Sequence, residues 1–333
     1  MLLLIVVACN NNPGKTRSER IDQLLKEAFD DKEFIGSVLV ADKGRIIYKK
    51  SFGYADQQKE IQNTDSTKFP IASISKPITA VLILRLAEKG VLKSDDTISK
   101  YFPKAPSGIG AISIHNLLTH TSGINEVINK EPNMDVTSLV EHATLRFPPG
   151  FDFEYSNSGY VLLKEIAEIA TQREYAELVQ TEVFNPASMT SSGIMRRSTP
   201  DDLVKGYQEA TQAQIVHLDF PIENVDGAGS VYSTVEDLYK LDRALYTEQL
   251  LSKEMTQRML NQHVSKEYSY GWFVRERGGI WDVYWAKGDL PGFTSFISRR
   301  VQKDQFIILL SNAQNAALSD LENDIAVILK TQE

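Results

Sequence analysis

The sequence predicts an α+β fold: an α/β sandwich with a central antiparallel sheet flanked by terminal helices, plus an inserted, mainly helical lobe. Three observations carry this. Strand-forming runs gather at both ends of the chain, each end also carries an amphipathic helix, and the long middle follows a helical period. At 333 residues and 42% hydrophobic, the chain is large enough to bury such a two-lobed core.

The elements follow in order. Ser18 reads as the N-cap of a helix that places Ile21, Leu24, Leu25, Ala28 and Phe29 on one face. Ser37–Ala41 and Arg45–Phe52 read as strands joined by the turn Asp42-Lys43-Gly44. From about Phe69 to Gln262 the pattern is helical. Pro77–Glu88 reads as a buried helix stopped at Gly90, Ser113 opens a short helix, and Gly159–Ala170 carries Val161, Leu162, Ile166 and Ile169. Ser233-Thr234-Val235-Glu236 reads as a capping box ahead of Leu238, Leu241 and Leu245. Tyr268–Arg275, Ile280–Ala286, Phe293–Arg299 and Gln305–Ser311 read as strands. A last helix aligns Leu318, Leu321, Ile325, Ile328 and Leu329. The α/β lobe is expected over 19–66 and 266–333, and the helical lobe over 67–265.

Met1–Ala8 is wholly apolar, and Cys9 opens a polar run to Ser18. Eight residues fall well short of the ~20 that span a bilayer. They match the apolar core of a secretion signal. Val-Val-Ala-Cys resembles the lipobox of bacterial lipoproteins, which implies a lipid anchor on Cys9, a tether over 10–18 and an exported, envelope-facing domain, periplasmic or at the surface. Cys9 is the only cysteine, which excludes internal disulfides and argues against thiol catalysis. A net charge of −8 argues against nucleic-acid partners. The five histidines (His115, His120, His142, His217, His263) show no ligand spacing, so neither a metal nor another cofactor is expected. His115 and His120 read as structural. There is no Gly-x-Ser-x-Gly elbow.

Ser73-Ile74-Ser75-Lys76 places a hydroxyl and an amine one turn apart at a helix start, close enough for the amine to take the hydroxyl proton. By composition such a spacing arises about once in a chain this long, so alone it decides little. A second set, Tyr155-Ser156-Asn157, follows Phe147-Pro148-Pro149-Gly150. A phenol beside an ammonium has a lowered pKa, so Tyr155 and Lys76 are expected to share a proton and pass it to a leaving group. Asn157, both donor and acceptor, suits holding Lys76 and a substrate amide.

Ser-x-x-Lys, then Tyr-Ser-Asn about 80 residues on, then late strands reaching Lys287-Gly288, resembles the serine β-lactamase and penicillin-binding-protein superfamily, in its class C-like branch. Further stretches resemble the same branch: His115-Asn-Leu-Leu-Thr-His-Thr-Ser-Gly-Ile124, Gly227-Ala-Gly-Ser-Val-Tyr-Ser-Thr-Val-Glu-Asp237 and Leu290-Pro-Gly-Phe-Thr-Ser295. The resemblance covers nearly all of 19–333. It implies a β-lactamase/transpeptidase-like fold and a serine hydrolase forming an acyl-enzyme on Ser73. Lys76 and Tyr155 would be its acid–base partners and Asn157 would place the substrate. The oxyanion hole would be the backbone N–H of Ser73 with one from the strand after Gly288, near Asp289. The substrate would be a small molecule or peptide: a β-lactam, a D-amino-acid peptide or an ester.

One element departs from the family's pattern. Counting back from Leu290-Pro291-Gly292 puts Ala286 where the third motif carries Lys or His. The cation is Lys287, one place late, and alternation along a strand turns it to the opposite face from Ala286 and Gly288. The expected preference is therefore for uncharged esters or amides. The same departure is what a catalytically weak or inactive binding or sensing domain on this scaffold would show.

Overall fold

The computed structural model describes residues 15–126, 135–196, 203–261, 267–277, 280–314 and 316–331. The apolar start, Cys9 and His263 lie outside them. In chain order, the elements that build the sheet and the cleft begin with α1 (Arg17–Asp30), β1 (Gly36–Asp42), β2 (Arg45–Phe52) and α2 (Ser75–Glu88). The middle adds α3 (Ile114–Leu118), α4 (Asn157–Thr171), α5 (Val235–Tyr246) and α6 (Lys253–Asn261). The C-terminal part is β3 (Phe273–Arg277), β4 (Ile280–Leu290), β5 (Phe293–Arg300), β6 (Gln305–Ser311) and α7 (Leu318–Ile328).

One antiparallel sheet runs in the order β3-β4-β5-β6-β1-β2. The two ends of the chain meet inside it: β1 pairs with β6, Val38 opposite Leu309 and Leu39 opposite Ile308. Successive side chains point to opposite faces, and both faces are covered. Val38, Val40, Ile307 and Leu309 pack with Ile21 and Leu25 of α1 and Leu321 and Ile325 of α7. Leu39, Ala41, Ile308 and Leu310 pack toward the inserted helices. This explains why β6 is one apolar run rather than an alternating one: every residue of it is buried. The β1–β2 turn carries positive φ at Lys43 (50°) and Gly44 (69°), the backbone of a two-residue hairpin.

The α+β sandwich with terminal helices is the architecture the sequence predicts, and three local readings are corrected. Thr16, not Ser18, caps α1. Its hydroxyl accepts from the Glu19 amide while the Glu19 carboxylate accepts from the Thr16 amide, so Ser18 belongs to the helix rather than to a tether. The cap of α5 is Thr234 with the Asp237 amide, one residue later than the Ser233–Glu236 box. Tyr268–Trp272 is not strand: apart from a bridge between Tyr268 and Phe273, pairing starts at Phe273, because these residues turn inward against α2 and α6.

Candidate active site

The turn before α2 is the foundation. Ala72–Ile74 forms a single 3-10 turn running straight into α2, with Ala72 held at a φ of 48°. A left-handed alanine is strained and persists only where neighbours over-determine it. Here they do. The Ile71 amide donates to the Val231 carbonyl (3.0 Å), and Ser295 Oγ donates to the Ile71 carbonyl (2.9 Å). Ser75 Oγ donates to the Ala72 carbonyl (2.6 Å) and accepts from the Val231 amide (3.0 Å). Ser73, at the crest of this turn, is partly exposed while its neighbours are buried.

Lys76 follows in the first turn of a helix buried almost all round, and is itself 1% exposed. Its Nζ donates to Ser73 Oγ (3.2 Å), Asn157 Oδ1 (2.8 Å) and the Ala228 carbonyl (3.0 Å). Burial pushes its pKa down to about 7, and Glu126 pulls the other way. A neutral amine is therefore available near neutrality, and its lone pair then falls where the third donor pointed, at Ser73.

Tyr155 lies beside Ser73, and its electrostatics differ from the expectation. Burial raises its pKa to about 12, with Ser73 acting in the opposite direction and the carboxylates of Glu126 and Asp289 adding to the rise. Burial, the largest cause, overrides the anticipated lowering by a neighbouring ammonium, although Lys76 Nζ lies over the ring face, 4.7 Å from its centroid. Tyr155 also stacks on Phe273 (6.1 Å, 11°), which stacks on Trp285 (4.4 Å, 16°).

Two further groups hold this cluster: Glu126, which sequence reasoning left aside, and His120, which it read as structural. The Glu126 carboxylate accepts from the Asn157 amide (2.6 Å) and from the Ser158 amide and hydroxyl (3.2 and 2.7 Å), so it covers the N-terminus of α4, where Asn157 is rooted. His120 is buried against the Tyr155 ring (4.4 Å between centroids). The Ser156 amide donates to His120 Nδ1 (3.1 Å), which fixes Nε2 as the protonated nitrogen facing Tyr268 Oη (3.1 Å). Burial and then the Lys76 charge hold His120 neutral, well below its ordinary pKa. The imidazole is thus a rigid strut. Glu126 has only its place, two residues past the Leu-Leu-Thr-His-Thr-Ser-Gly-Ile stretch, to mark it. A carbonyl such as that of Ala228 leaves no mark at all.

The edge of β4 forms the far wall. Gly288 pairs with Ser295, and a Cβ there would stand 2.2 Å from the Ile71 carbonyl oxygen. Only glycine lets the strand lie against the serine turn. Ala286 shares that face and is 4% exposed. Lys287 is turned to the other face, as alternation requires, and forms an exposed ion pair with Asp289 (3.2 Å). The structure thus groups Ser73, Lys76, Tyr155, Asn157 and Gly288 around one point. It places Lys287 and Asp289 on the rim, and no bulge in the β4–β5 register turns Lys287 back.

Comparison with known proteins agrees with this geometry. The family model described as Beta-lactamase matches residues 21–332. Penicillin-binding protein 4* of Bacillus subtilis (strain 168) is 30% identical over 337 residues, covering 92% of this chain and 73% of that protein. Among solved structures, a penicillin-binding protein from Bacillus halodurans superposes with a TM-score of 0.78 at 27% identity, covering 91% of this chain and 99% of that one. A D-amino acid amidase from Ochrobactrum anthropi SV3 superposes with a TM-score of 0.79 at 22% identity, covering 93% and 99%, a likeness of fold. By its matched length and its relatives, this chain belongs to the β-lactamase family, whose members are serine hydrolases and acyl-transferases related to the penicillin-binding proteins.

Proposed function

We propose that the protein is a serine hydrolase that forms an acyl-enzyme on Ser73 and acts on uncharged amides or esters. The observation that carries this is Lys76: a buried amine with a pKa near 7, hydrogen-bonded to the Ser73 hydroxyl. Neutral Lys76 takes the Ser73 proton as Oγ attacks the substrate carbonyl carbon. The developing oxyanion is met by the backbone N–H groups of Ser73 and Asp289. As the tetrahedral adduct collapses, the leaving amine or alkoxide takes the proton that Lys76 removed from Ser73, with the Tyr155 hydroxyl donating a hydrogen bond to the leaving atom. Water then attacks the acyl carbon as neutral Lys76 takes its proton, and Lys76 returns that proton to Ser73 Oγ as the C–Oγ bond breaks and the acid leaves. Asn157 keeps its carboxamide oxygen on Lys76 and offers its NH2 to the substrate.

The substrate class follows from charge. Ala286 offers no cation on the cleft face, Lys287 is paired with Asp289, and the carboxylates of Glu126 and Asp289 both act on Tyr155. An anionic substrate would meet repulsion with nothing to grip it. The Val-Val-Ala-Cys segment supports a lipid-anchored protein of the bacterial envelope as its setting.

A fluorophosphonate probe should label Ser73 in the intact protein and leave Ser73→Ala unlabelled. A neutral acyl ester or amide should be turned over at least tenfold faster than its carboxylated counterpart, and Ala286→His should narrow that gap. Absence of a labelled Ser73 peptide would favour the binding or sensing role. A carboxylated substrate turned over as fast as the neutral one would remove the charge argument while leaving the acyl-enzyme intact.

A further inference from the structure

The net charge of the chain is −8, yet one end of the sheet gathers lysines and arginines. There β1 enters β2 through Asp42-Lys43-Gly44-Arg45, and β5 enters β6 through the 3-10 turn Val301–Lys303. The Gly44 amide donates to the Asp304 carbonyl (3.0 Å), so the two turns touch. The first and last helices end beside them. Arg17, at the start of α1, pairs with Asp42 (2.8 Å) and donates to the Thr331 carbonyl just past α7 (3.0 Å).

At this end Lys15, Arg20, Lys43, Arg45, Lys303 and Lys330 form no ion pair among the described residues. Lys15 and Arg20 meet only neutral acceptors, the Gln23 side chain (2.8 Å) and the Thr331 hydroxyl (2.7 Å). Lys43, Arg45, Lys303 and Lys330 are exposed. The carboxylates beside them are engaged: Asp42 by Arg17, Asp304 by Arg243, and Glu19 by the Thr16 cap. Glu276 of β3 and Asp282 of β4 stand beyond the 3-10 turn in strand order. The surface formed by the two turns and the two helix ends is therefore cationic.

We propose that this end is a docking surface for the anionic phospholipid headgroups of a bilayer, with the cleft turned away from it. Charge complementarity and the length of chain ahead of the domain argue for this occupant. Cys9 precedes Lys15 by six residues, which reach at most about 20 Å. A lipid on Cys9 would hold the start of α1, and the cations around it, close to the headgroups. That seating rests on the proposed lipid anchor; the charge of the surface does not. Each cation that reaches an anionic bilayer strengthens binding about fivefold. The cleft lies at the other end of the sheet. Gly288 pairs with Ser295, and from there β5 runs five residues to Arg300, about 17 Å of strand. Ser73 then faces the envelope space and not the bilayer.

The full chain carrying Cys9→Ser, which cannot be acylated there, tests the surface without the anchor. It should bind vesicles of phosphatidylcholine and phosphatidylglycerol, in about a 7:3 ratio, at least tenfold tighter than pure phosphatidylcholine. Raising the salt from about 0.05 to about 0.5 M should erase that preference. Lys43→Glu, Arg45→Glu and Lys303→Glu together should abolish it and leave fluorophosphonate labelling of Ser73 unchanged. Lys43→Gln, Arg45→Gln and Lys303→Gln form the milder companion, and circular dichroism reads folding in both. Lys59→Glu, Lys93→Glu and Lys104→Glu make the same charge change elsewhere and should leave the preference intact. On vesicles, sulfosuccinimidyl acetate should acetylate Lys43 and Lys303 about fivefold more slowly than in solution, and Lys93 and Lys104 at the same rate. No preference for phosphatidylglycerol, or one that the folded triple variants keep, would overturn the surface. Binding to soluble heparin without binding to vesicles would assign the cations to a polyanion and overturn the membrane. Protection of Lys93 in place of Lys43 would overturn the orientation. In cells, an alkyne fatty acid should label Cys9. An unlabelled Cys9 with the preference intact would overturn the anchor and leave the surface standing.

Discussion

Lys76 satisfies three acceptors with three donors only while protonated, yet burial moves its proton off near pH 7. Activity therefore has a direction with pH. The rate of Ser73 acylation should climb with a midpoint near 7 and then level off, since Tyr155, raised to about 12, keeps its proton throughout. Glu126 raises the Lys76 pKa, so Glu126→Gln should move the midpoint down. A midpoint that stays or rises in the pH profile of fluorophosphonate labelling would show that Glu126 does not act through its charge. Stability carries the same sign. The pKa is lowered from an ordinary 10.5, so the unfolded chain holds the proton more tightly. Below about pH 7 both states are protonated and the folded protein bears the full cost of burying the ammonium. As pH rises from about 7 to 10.5 the folded state sheds the proton and the cost is relieved.

At the level of elements, the site depends on how closely β4 approaches the turn before α2. Gly288→Ala would force a methyl to 2.2 Å from the Ile71 carbonyl, and the only relief is to move the strand or the turn. Acylation should fall at least a hundredfold, with a loss of about 1–3 kcal/mol in urea unfolding. Ser75→Ala leaves the Val231 amide without its partner and should cost about 1–3 kcal/mol while changing KM little. These two positions mark the boundary of what was legible in sequence. Ser73, Lys76, Tyr155 and Asn157 could be named because Ser-x-x-Lys and Tyr-Ser-Asn, each weak alone, together resemble the motifs of the serine β-lactamase and penicillin-binding-protein superfamily. The displacement of Lys287 could be read by setting Leu290-Pro291-Gly292 against the family's third motif, and its facing from strand alternation. Ser75 drew no separate reading in the sequence, and its role exists only once the strand at Val231 is beside it. Tyr155 was placed correctly on the chain, but its pKa was expected to move the wrong way. Depth of burial and the tilt of Lys76 over the ring are three-dimensional quantities that spacing does not encode.

Across the whole molecule, the sheet that positions Gly288 is assembled from strands at opposite ends of the chain. β1 cannot find its partner β6 until nearly the full length is available, so pairing is strongly non-local. α7 is tied in by a buried pair: Arg300 bonds Glu322 and Ser298, and Ser298 Oγ donates to Glu322 (2.6 Å). Removing one partner strands a buried charge. Glu322→Leu should cost about 3–5 kcal/mol, whereas Arg300→Met combined with Glu322→Leu should recover most of that, both read from urea midpoints. An equal loss in both variants would mean that helix packing, not charge, fastens α7.

The aromatic row from Tyr155 through Phe273 to Trp285 has an optical consequence. Indole emission responds to what moves and polarises beside it, and here the catalytic phenol touches the ring that touches the indole. The protein thus carries a built-in reporter. Each acylation and release at Ser73 should modulate tryptophan fluorescence without any added label, and Trp285→Phe should silence the signal while turnover continues.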